Sequence, residues 1–174
     1  MEFTVEQAYQ GSKVFSDGGP FTDLFFTSPK NAKRDPRIRN SGELVGFKFF
    51  NFLFGLNPPT FFYDWLYINT LLKNYNLVNK LDEYGAFSDI EFNPKKSLSC
   101  QAYSVALFLS LLANNVAIED LKEPKSMLKF VQKEYERRWG MSFIEDLKIA
   151  LVLIVIVLVF VGIIISILVK RERI

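Results

Sequence analysis

The stretch TVEQAYQGSKVF, residues 4–15, is the part of the sequence from which the rest can be interpreted. Its threonine and the glutamine three positions later form the pattern of a capping box, which opens a helix. We therefore predict a helix that runs to about the end of this stretch. Glu6, Gln10 and Lys13 are spaced by four and three residues, so they share one face of such a helix. This face is either a solvated ion-pair ladder or a site where a carboxylate and an amine act together.

The sequence around this stretch alternates helical and short extended patterns. Apolar spacing predicts helices over residues 61–72, 76–84 and 99–113. The segment 87–93 alternates polar and apolar residues, which is typical of a strand. The predicted fold class is therefore α+β, predominantly α.

Composition excludes several kinds of chemistry. The 174-residue chain has a net charge of +2, one cysteine and no histidine. A single cysteine forms no internal disulfide, and without histidine there is no Cys-His zinc site and no histidine base. Carboxylates, lysines and tyrosines must then carry any acid and base chemistry. We expect neither a metal nor a cofactor.

Residues 149–169 form an uncharged run of 21 positions. As a helix it spans roughly 31 Å, which matches the hydrocarbon core of a bilayer, so we predict one transmembrane helix. Five cations precede this run within about 20 residues and three follow it. This bias predicts a single-pass membrane protein with a cytoplasmic N-terminal domain and the C-terminus on the opposite side.

The predicted organisation has four parts. A small domain covers residues 1–115, and a charged, partly helical stalk covers 116–148. The transmembrane helix at 149–169 follows, and a basic tail at 170–174 ends the chain.

Five strings in the first two thirds of the chain resemble the NADAR family, which has the YbiA-like fold. They are VEQAYQGSKVF at 5–15, GGPFTDL at 18–24, SPKNAKRDPRIRNSG at 28–42, FYDWLYIN at 62–69 and FSDIEFNPKKSLSCQA at 87–102. Their order and spacing are similar to the branch that serves as antitoxin to DarT-type toxins. Such toxins attach ADP-ribose to guanine in DNA.

The resemblance implies an N-glycosidic hydrolase that removes ADP-ribose from guanine in DNA. It would act as a membrane-anchored antitoxin or immunity protein, with a DarT-type toxin as a possible partner. Two alternatives stay open. One is a hydrolase of a free ribosylamino nucleotide, and the other is a non-catalytic, membrane-anchored protein that binds ADP-ribose or the toxin.

The resemblance also assigns catalytic roles. Lys13 would capture the ring-opened sugar as a Schiff base, for which burial or a nearby cation must lower its pKa. Glu6 would carry protons on the sugar or the leaving base, although its charge pushes the pKa of Lys13 upward. Asp89 and Glu91 would bind hydroxyl groups of the substrate or act as a second acid and base. Without the resemblance, they are interpreted as residues of the solvent-exposed face of a strand.

Substrate binding is expected from side chains elsewhere in the chain. Asp64 would recognise a ribose hydroxyl or base edge, while Trp65 stacks on a purine or simply fills the core. Lys95 and Lys96, near the start of the last predicted helix, would hold pyrophosphate unless they are ordinary loop lysines. The expected substrate-binding residues are Gln10, Asp64, Trp65, Asn93, Lys95, Lys96 and Ser99.

A basic run follows the second string of the resemblance. Lys33, Arg34, Arg37 and Arg39 lie within seven residues and are interrupted by one acid. Such a run either follows a phosphate backbone or forms a solvated face. We predict nucleic-acid contact by these four side chains.

Overall fold

The computed structural model describes residues 2–81, 83–89 and 98–140, together with positions 152, 156 and 157. The chain divides into two compact units, residues 1–132 and 133–174. The helices are α1 (Val5–Gly11), a 3₁₀ helix (Thr22–Phe26), α2 (Pro29–Arg34), α3 (Arg37–Asn40), α4 (Phe61–Leu72), α5 (Tyr75–Leu81), α6 (Gln101–Ala113), α7 (Ile118–Lys122) and α8 (Pro124–Trp139). The strands are β1 (Lys13–Phe15), β2 (Leu44–Phe49) and β3 (Phe52–Phe54).

The capping box that opens α1 is confirmed, but the predicted length of the helix is wrong. The Thr4 hydroxyl accepts from the Gln7 backbone N–H at 3.3 Å, and the Thr4 N–H donates to the Gln7 side chain at 2.7 Å. The helix ends at Gly11, and Lys13 begins β1. Pairing of β1 with β2 supplies the backbone bonds that a longer helix would otherwise make. The helix therefore gives way to a strand before Lys13.

The three strands form one antiparallel sheet in the order β1-β2-β3. Lys13 lies opposite Phe47, and Phe47 lies opposite Phe54. Gly46 allows β3 to approach closely, because a Cβ at this position would lie 2.7 Å from the Phe54 carbonyl oxygen. The sheet therefore places its aromatic residues against the neighbouring helix.

Aromatic side chains join the sheet to α4. The ring centroids of Phe47 and Phe62 are 4.7 Å apart, as are those of Phe54 and Phe62, and Phe54 lies 5.1 Å from Trp65. Each buried aromatic side chain contributes about 1.5–3 kcal/mol through removal of its apolar surface from water. The abundance of phenylalanine in the sequence thus serves this core.

Helix α4 also binds the chain that follows α6. The Trp65 indole N–H donates to the Lys122 carbonyl at 3.3 Å, and the Asn69 side chain donates to the Leu121 carbonyl at 3.0 Å. These side chains satisfy carbonyls at the end of the short helix α7, which would otherwise lack partners. In the second unit, the part of α8 after residue 132 carries an ion pair between Arg137 and Glu134 at 2.9 Å.

The predicted α+β, mainly helical class is confirmed, and so is the helix at Phe61–Leu72. The predicted helices at 76–84 and 99–113 are found as α5 and α6 with shifted ends. The Asn74 carbonyl accepts hydrogen bonds from the backbone N–H groups of Leu77 and Val78. Helix α5 therefore begins at Tyr75, one residue earlier than predicted.

The prediction of a transmembrane helix is wrong for the described part of the chain. The predicted single-pass membrane localisation, which depended on that helix, is not supported either. Within residues 2–81, 83–89 and 98–140, no helix is long and apolar enough to cross a bilayer. The longest helix in these ranges, α8, has 16 residues, hence about 24 Å against roughly 30 Å of hydrocarbon, and it carries several charged side chains. Apart from three positions, the segment 149–169 lies outside the described residues, as do 141–148 and 170–174.

Candidate active site

Helix α1 and strand β1 bring together the three polar residues that the spacing singled out. The Gln10 side-chain amide donates to the Glu6 carboxylate at 2.9 Å. Lys13 lies on β1 and not on the helix, yet Glu6 is close enough for its charge to oppose the lowering of the Lys13 pKa by burial. The turn after Gly11 therefore preserves the grouping that a longer helix was expected to produce.

Lys13 is half-buried, and its ammonium lies over an aromatic ring. Its Nζ is 5.0 Å from the centroid of the Tyr9 ring, within the range of a cation–π contact. Burial lowers the pKa of Lys13, Glu6 opposes this effect, and the positive charge of Lys33 adds to it. More of the lysine is consequently the neutral, nucleophilic amine at neutral pH than for an exposed lysine.

Tyr9 is held on several sides. Its ring lies 5.3 Å from Phe47 and packs edge-on against Tyr63 at 5.3 Å. Burial raises the pKa of Tyr9, a hydrogen bond with the Ser99 side chain lowers it, and Glu6 raises it further. The phenol therefore stays protonated at neutral pH and can donate a hydrogen bond.

A row of tyrosines continues from Tyr9 along α4. The rings of Tyr63 and Tyr67 stack with centroids 6.1 Å apart. Burial raises the pKa of Tyr63 well above its ordinary value, while a hydrogen bond with Gln101 lowers it. Burial also raises the pKa of Tyr67, and the charge of Asp89 adds to this rise. The row thus extends from the Lys13 end of the site to Asp89.

Asp64 and Trp65, predicted to bind substrate, both lie in the interior. Asp64 is 0% exposed; it accepts from the Thr60 hydroxyl at 2.8 Å and from the Ser104 hydroxyl at 2.6 Å. Trp65 is 4% exposed, and its N–H donates to Lys122. Burial is the largest cause of the raised pKa of Tyr9 and Tyr63, and the Asp64 charge adds to it, so Asp64 acts on these tyrosines through its charge.

Four of the predicted site residues, Glu91, Asn93, Lys95 and Lys96, lie outside the described residues. The structure places two predicted residues that flank this segment. Ser99 bonds to Tyr9, and Asp89 acts on Tyr67. Ser99 and Asp89 therefore both act on members of the tyrosine row.

The basic run contains one cation in a different role from the others. Lys33, Arg34 and Arg39 are exposed. The Arg37 guanidinium instead pairs with Asp23 at 2.6 Å and Asp35 at 2.9 Å, and its Cζ lies 4.7 Å from the centroid of the Phe21 ring. Hydrogen bonds from Arg37 lower the pKa of both carboxyl groups. Arg37 thus joins the 3₁₀ helix to the end of α2 and neutralises acids next to the exposed cations.

Two buried polar atoms beside Lys13 have no hydrogen-bond partner within the part of the chain that the structure describes. They are the Gln10 side-chain oxygen and the Ser12 hydroxyl, and these residues are 6% and 0% exposed. A buried polar atom without a partner costs about 1–3 kcal/mol.

The interpretation of the sequence missed the tyrosine row and two residues of α6 that bond to α4. They are Tyr9, Tyr63, Tyr67, Gln101 and Ser104. Part of the signal was available, because Tyr9 follows Glu6 by three positions and Tyr63 and Tyr67 are separated by four. Across the described residues, no group of three or more acidic or cysteine side chains is placed to hold a metal ion.

Comparison with known proteins identifies the family. A family described as "DarT1-associated NADAR antitoxin" matches residues 1–139, from α1 to the end of α8. No curated protein matches the chain. The family match covers most of the 174 residues and confirms the resemblance that the five strings indicated. The chain therefore belongs to the NADAR family, in the branch of DarT1-associated antitoxins.

Proposed function

We propose that this antitoxin is an N-glycosidic hydrolase that removes ADP-ribose from guanine in DNA. The observation that carries the proposal is Lys13, a lysine whose pKa is lowered by burial and which lies within electrostatic reach of Glu6. An amine of this kind is suited to attack an imine carbon. The ADP-ribosyl adduct of guanine supplies such a carbon, because its sugar is joined to the exocyclic amine and opens to an imine.

The reaction balances without a cofactor. The Lys13 ammonium first passes a proton to the Glu6 carboxylate and becomes the neutral amine. Glu6 then donates this proton to the ring oxygen of the sugar, and the C1–O bond breaks to give a protonated imine on guanine. The neutral amine of Lys13 adds to this carbon, a proton passes to the guanine nitrogen, and the C1–N bond to guanine breaks. Water then hydrolyses the protonated Lys13 imine. The released aldehyde closes to ADP-ribose, and the cycle ends as it began, with a Lys13 ammonium and a Glu6 carboxylate.

Neighbouring side chains support this sequence of steps. Gln10 donates to Glu6 and orients its carboxylate. Asp89, beside Tyr67, is the candidate for a second proton carrier at the other end of the tyrosine row. Roles for Glu91, Asn93, Lys95 and Lys96 stay predictions from the sequence.

Contact with DNA is assigned to the exposed cations of the basic run. Lys33 lies close enough to Lys13 to affect its pKa, so a phosphate bound by Lys33 would lie near the reacting base. Arg34 and Arg39 extend this positive surface. Arg37 contributes indirectly, because its ion pairs neutralise Asp23 and Asp35.

Release of ADP-ribose from a modified guanine oligonucleotide tests the proposal with the full chain. Lys13→Arg keeps the positive charge but removes the nucleophilic amine, so we expect it to abolish release. Lys48→Arg is the matched control, because Lys48 is an exposed lysine of β2. Full activity of Lys13→Arg would exclude Lys13 as the nucleophile.

The two alternative functions give different results in the same assay. Faster release from a free ribosylamino nucleotide than from the oligonucleotide would favour the small substrate. No release from either substrate, with tight binding of the toxin or of ADP-ribose, would favour a non-catalytic antitoxin.

A further inference from the structure

The Tyr9 ring is placed under the reacting nitrogen by contacts that also place the strand bearing Lys13. Phe47 is the strand partner of Lys13, and its ring packs against Tyr9 at 5.3 Å. Phe62 stacks on Tyr9 at 6.0 Å, and Tyr63 meets it edge-on. The Lys13 Nζ lies over the ring at 5.0 Å. The position of the lysine nitrogen is therefore set by a ring that is itself fixed by the core.

We propose that Tyr9 is a positioning residue for Lys13, whose ring holds the lysine ammonium and then the protonated imine that replaces it. The part of the inference that concerns the protonated imine rests on the proposed function. The Lys13 nitrogen is positively charged in the resting ammonium and again after transfer of the sugar from guanine. An aromatic face attracts a cation in both states, and the attraction is stronger where water is excluded.

The charge on this nitrogen follows from the balance of the transfer step. Neutral Lys13 amine and the protonated imine of guanine give the protonated imine of Lys13 and the neutral guanine amine, so one positive charge moves from the substrate nitrogen to the lysine nitrogen. Hydrolysis then consumes one water and regenerates the ammonium. The ring contact consequently favours the transfer of the sugar to Lys13 over its return to guanine.

The hydroxyl group of Tyr9 has a role separate from that of the ring. It bonds to Ser99, at the entry to α6, and so fixes the edge of the ring. Removal of the hydroxyl alone leaves the aromatic face in place. The proposal therefore separates Tyr9→Phe, which keeps the face, from Tyr9→Leu, which removes it.

The test combines two measurements on the full chain. Borohydride trapping with an ADP-ribosylated guanine oligonucleotide is compared at the maximum of each variant's pH–rate profile, so that a change in the pKa of Lys13 alone does not decide the comparison. Tyr9→Leu is expected to slow trapping by about tenfold to thirtyfold, as loss of a desolvated cation–π contact predicts. Tyr9→Phe is expected to lose no more than about threefold. Equal rates for the two variants would overturn the proposal.

The second measurement needs no substrate. Competitive acetylation across pH, followed by mass spectrometry, gives the pKa of Lys13 in the free protein. Tyr9→Leu is expected to lower this pKa relative to Tyr9→Phe, because the ring stabilises the ammonium. Phe52→Leu, which removes a ring packed 5.4 Å from Trp65, is the control for loss of an aromatic core contact and should leave the pKa unchanged. An unchanged or raised pKa in Tyr9→Leu would contradict the positioning role.

The two measurements also separate this inference from the proposed function. If the parent protein forms no adduct while Tyr9→Leu still lowers the pKa of Lys13, the proposed reaction is refuted. The proposed contact of the Tyr9 ring with the protonated imine is then refuted as well, whereas its contact with the Lys13 ammonium in the resting protein stands. If the parent forms the adduct and both Tyr9 variants match it, the reaction stands and Tyr9 has no positioning role.

Discussion

Ser104 is predicted to stabilise the fold through one hydrogen bond to a buried carboxylate. Ser104 and Asp64 are both 0% exposed, and the serine hydroxyl donates to the carboxylate at 2.6 Å. The substitution Ser104→Ala removes this donor and almost no volume, so it creates no large cavity. Asp64 keeps the Thr60 hydroxyl at 2.8 Å, which limits the damage to one of these two bonds.

The magnitude follows from the charge and burial of the acceptor. A hydrogen bond to a charged group contributes about 1.5–3 kcal/mol, and loss of the donor leaves the buried carboxylate undersatisfied. We therefore expect Ser104→Ala to lower the free energy of unfolding by about 2 kcal/mol. With a urea dependence of about 2 kcal/mol/M, the unfolding midpoint falls by about 1 M.

Urea unfolding followed by circular dichroism measures this change. Ser110→Ala is the matched control, because Ser110 lies on the same helix but is exposed, and its effect should stay within about 0.5 kcal/mol. If Ser104→Ala costs no more than Ser110→Ala, the hydrogen bond to Asp64 does not stabilise the fold in the way proposed.

Three further predictions concern the surroundings of Lys13. Gly11→Ala should lower the free energy of unfolding by about 1–3 kcal/mol in urea titrations, because its Cβ would lie 2.5 Å from the Phe25 ring; wild-type stability would contradict this. Burial lowers the pKa of Lys13 in the folded protein, so between the folded and unfolded pKa values the unfolded chain binds more protons than the folded one. The free energy of unfolding of the parent protein should therefore rise with pH across that window, relative to Lys13→Met. Parallel pH–stability curves for the two proteins would refute the shift. The double substitution Lys33→Gln and Arg34→Gln should weaken DNA binding in a fluorescence titration. The slope of log affinity against log salt concentration should fall by about two ions, and an unchanged slope would exclude phosphate contact by these side chains.

The sequence predicted local features whose causes are themselves local. A capping box satisfies donors within one turn, so Thr4 and Gln7 identified the start of α1 correctly. The helix Phe61–Leu72 follows from a long apolar pattern in the same way. The grouping of Glu6 and Lys13 depended on residues close in the chain, and the structure brings their charges within reach of each other.

Features that depend on distant residues were missed or wrong. The end of α1 depends on pairing of β1 with β2, whose residues lie some thirty positions later. The contacts of Trp65 with Phe54 and with the Lys122 carbonyl were not predicted. Neither was the ion pair of Arg37 with Asp23, which lies 14 positions earlier. None of these partners is visible in a local pattern.

The membrane prediction shows the limit of composition taken alone. The uncharged run at 149–169 has the length and apolar content of a spanning helix. Apart from three positions, this run lies outside the described residues, and the described helices include no candidate span. The family match, which ends at residue 139, rests on the part of the chain that precedes the run.

Mass-spectrometric mapping of a borohydride-trapped adduct tests the central claim most directly. The full chain is mixed with an ADP-ribosylated guanine oligonucleotide, reduced, digested and searched for sugar-modified lysines. We predict a reduced ADP-ribose adduct on Lys13 that is absent from Lys13→Arg, together with release of unmodified guanine in the oligonucleotide. Release of ADP-ribose at an undiminished rate with no adduct on Lys13, or with Lys13→Arg as active as the parent, would contradict the account.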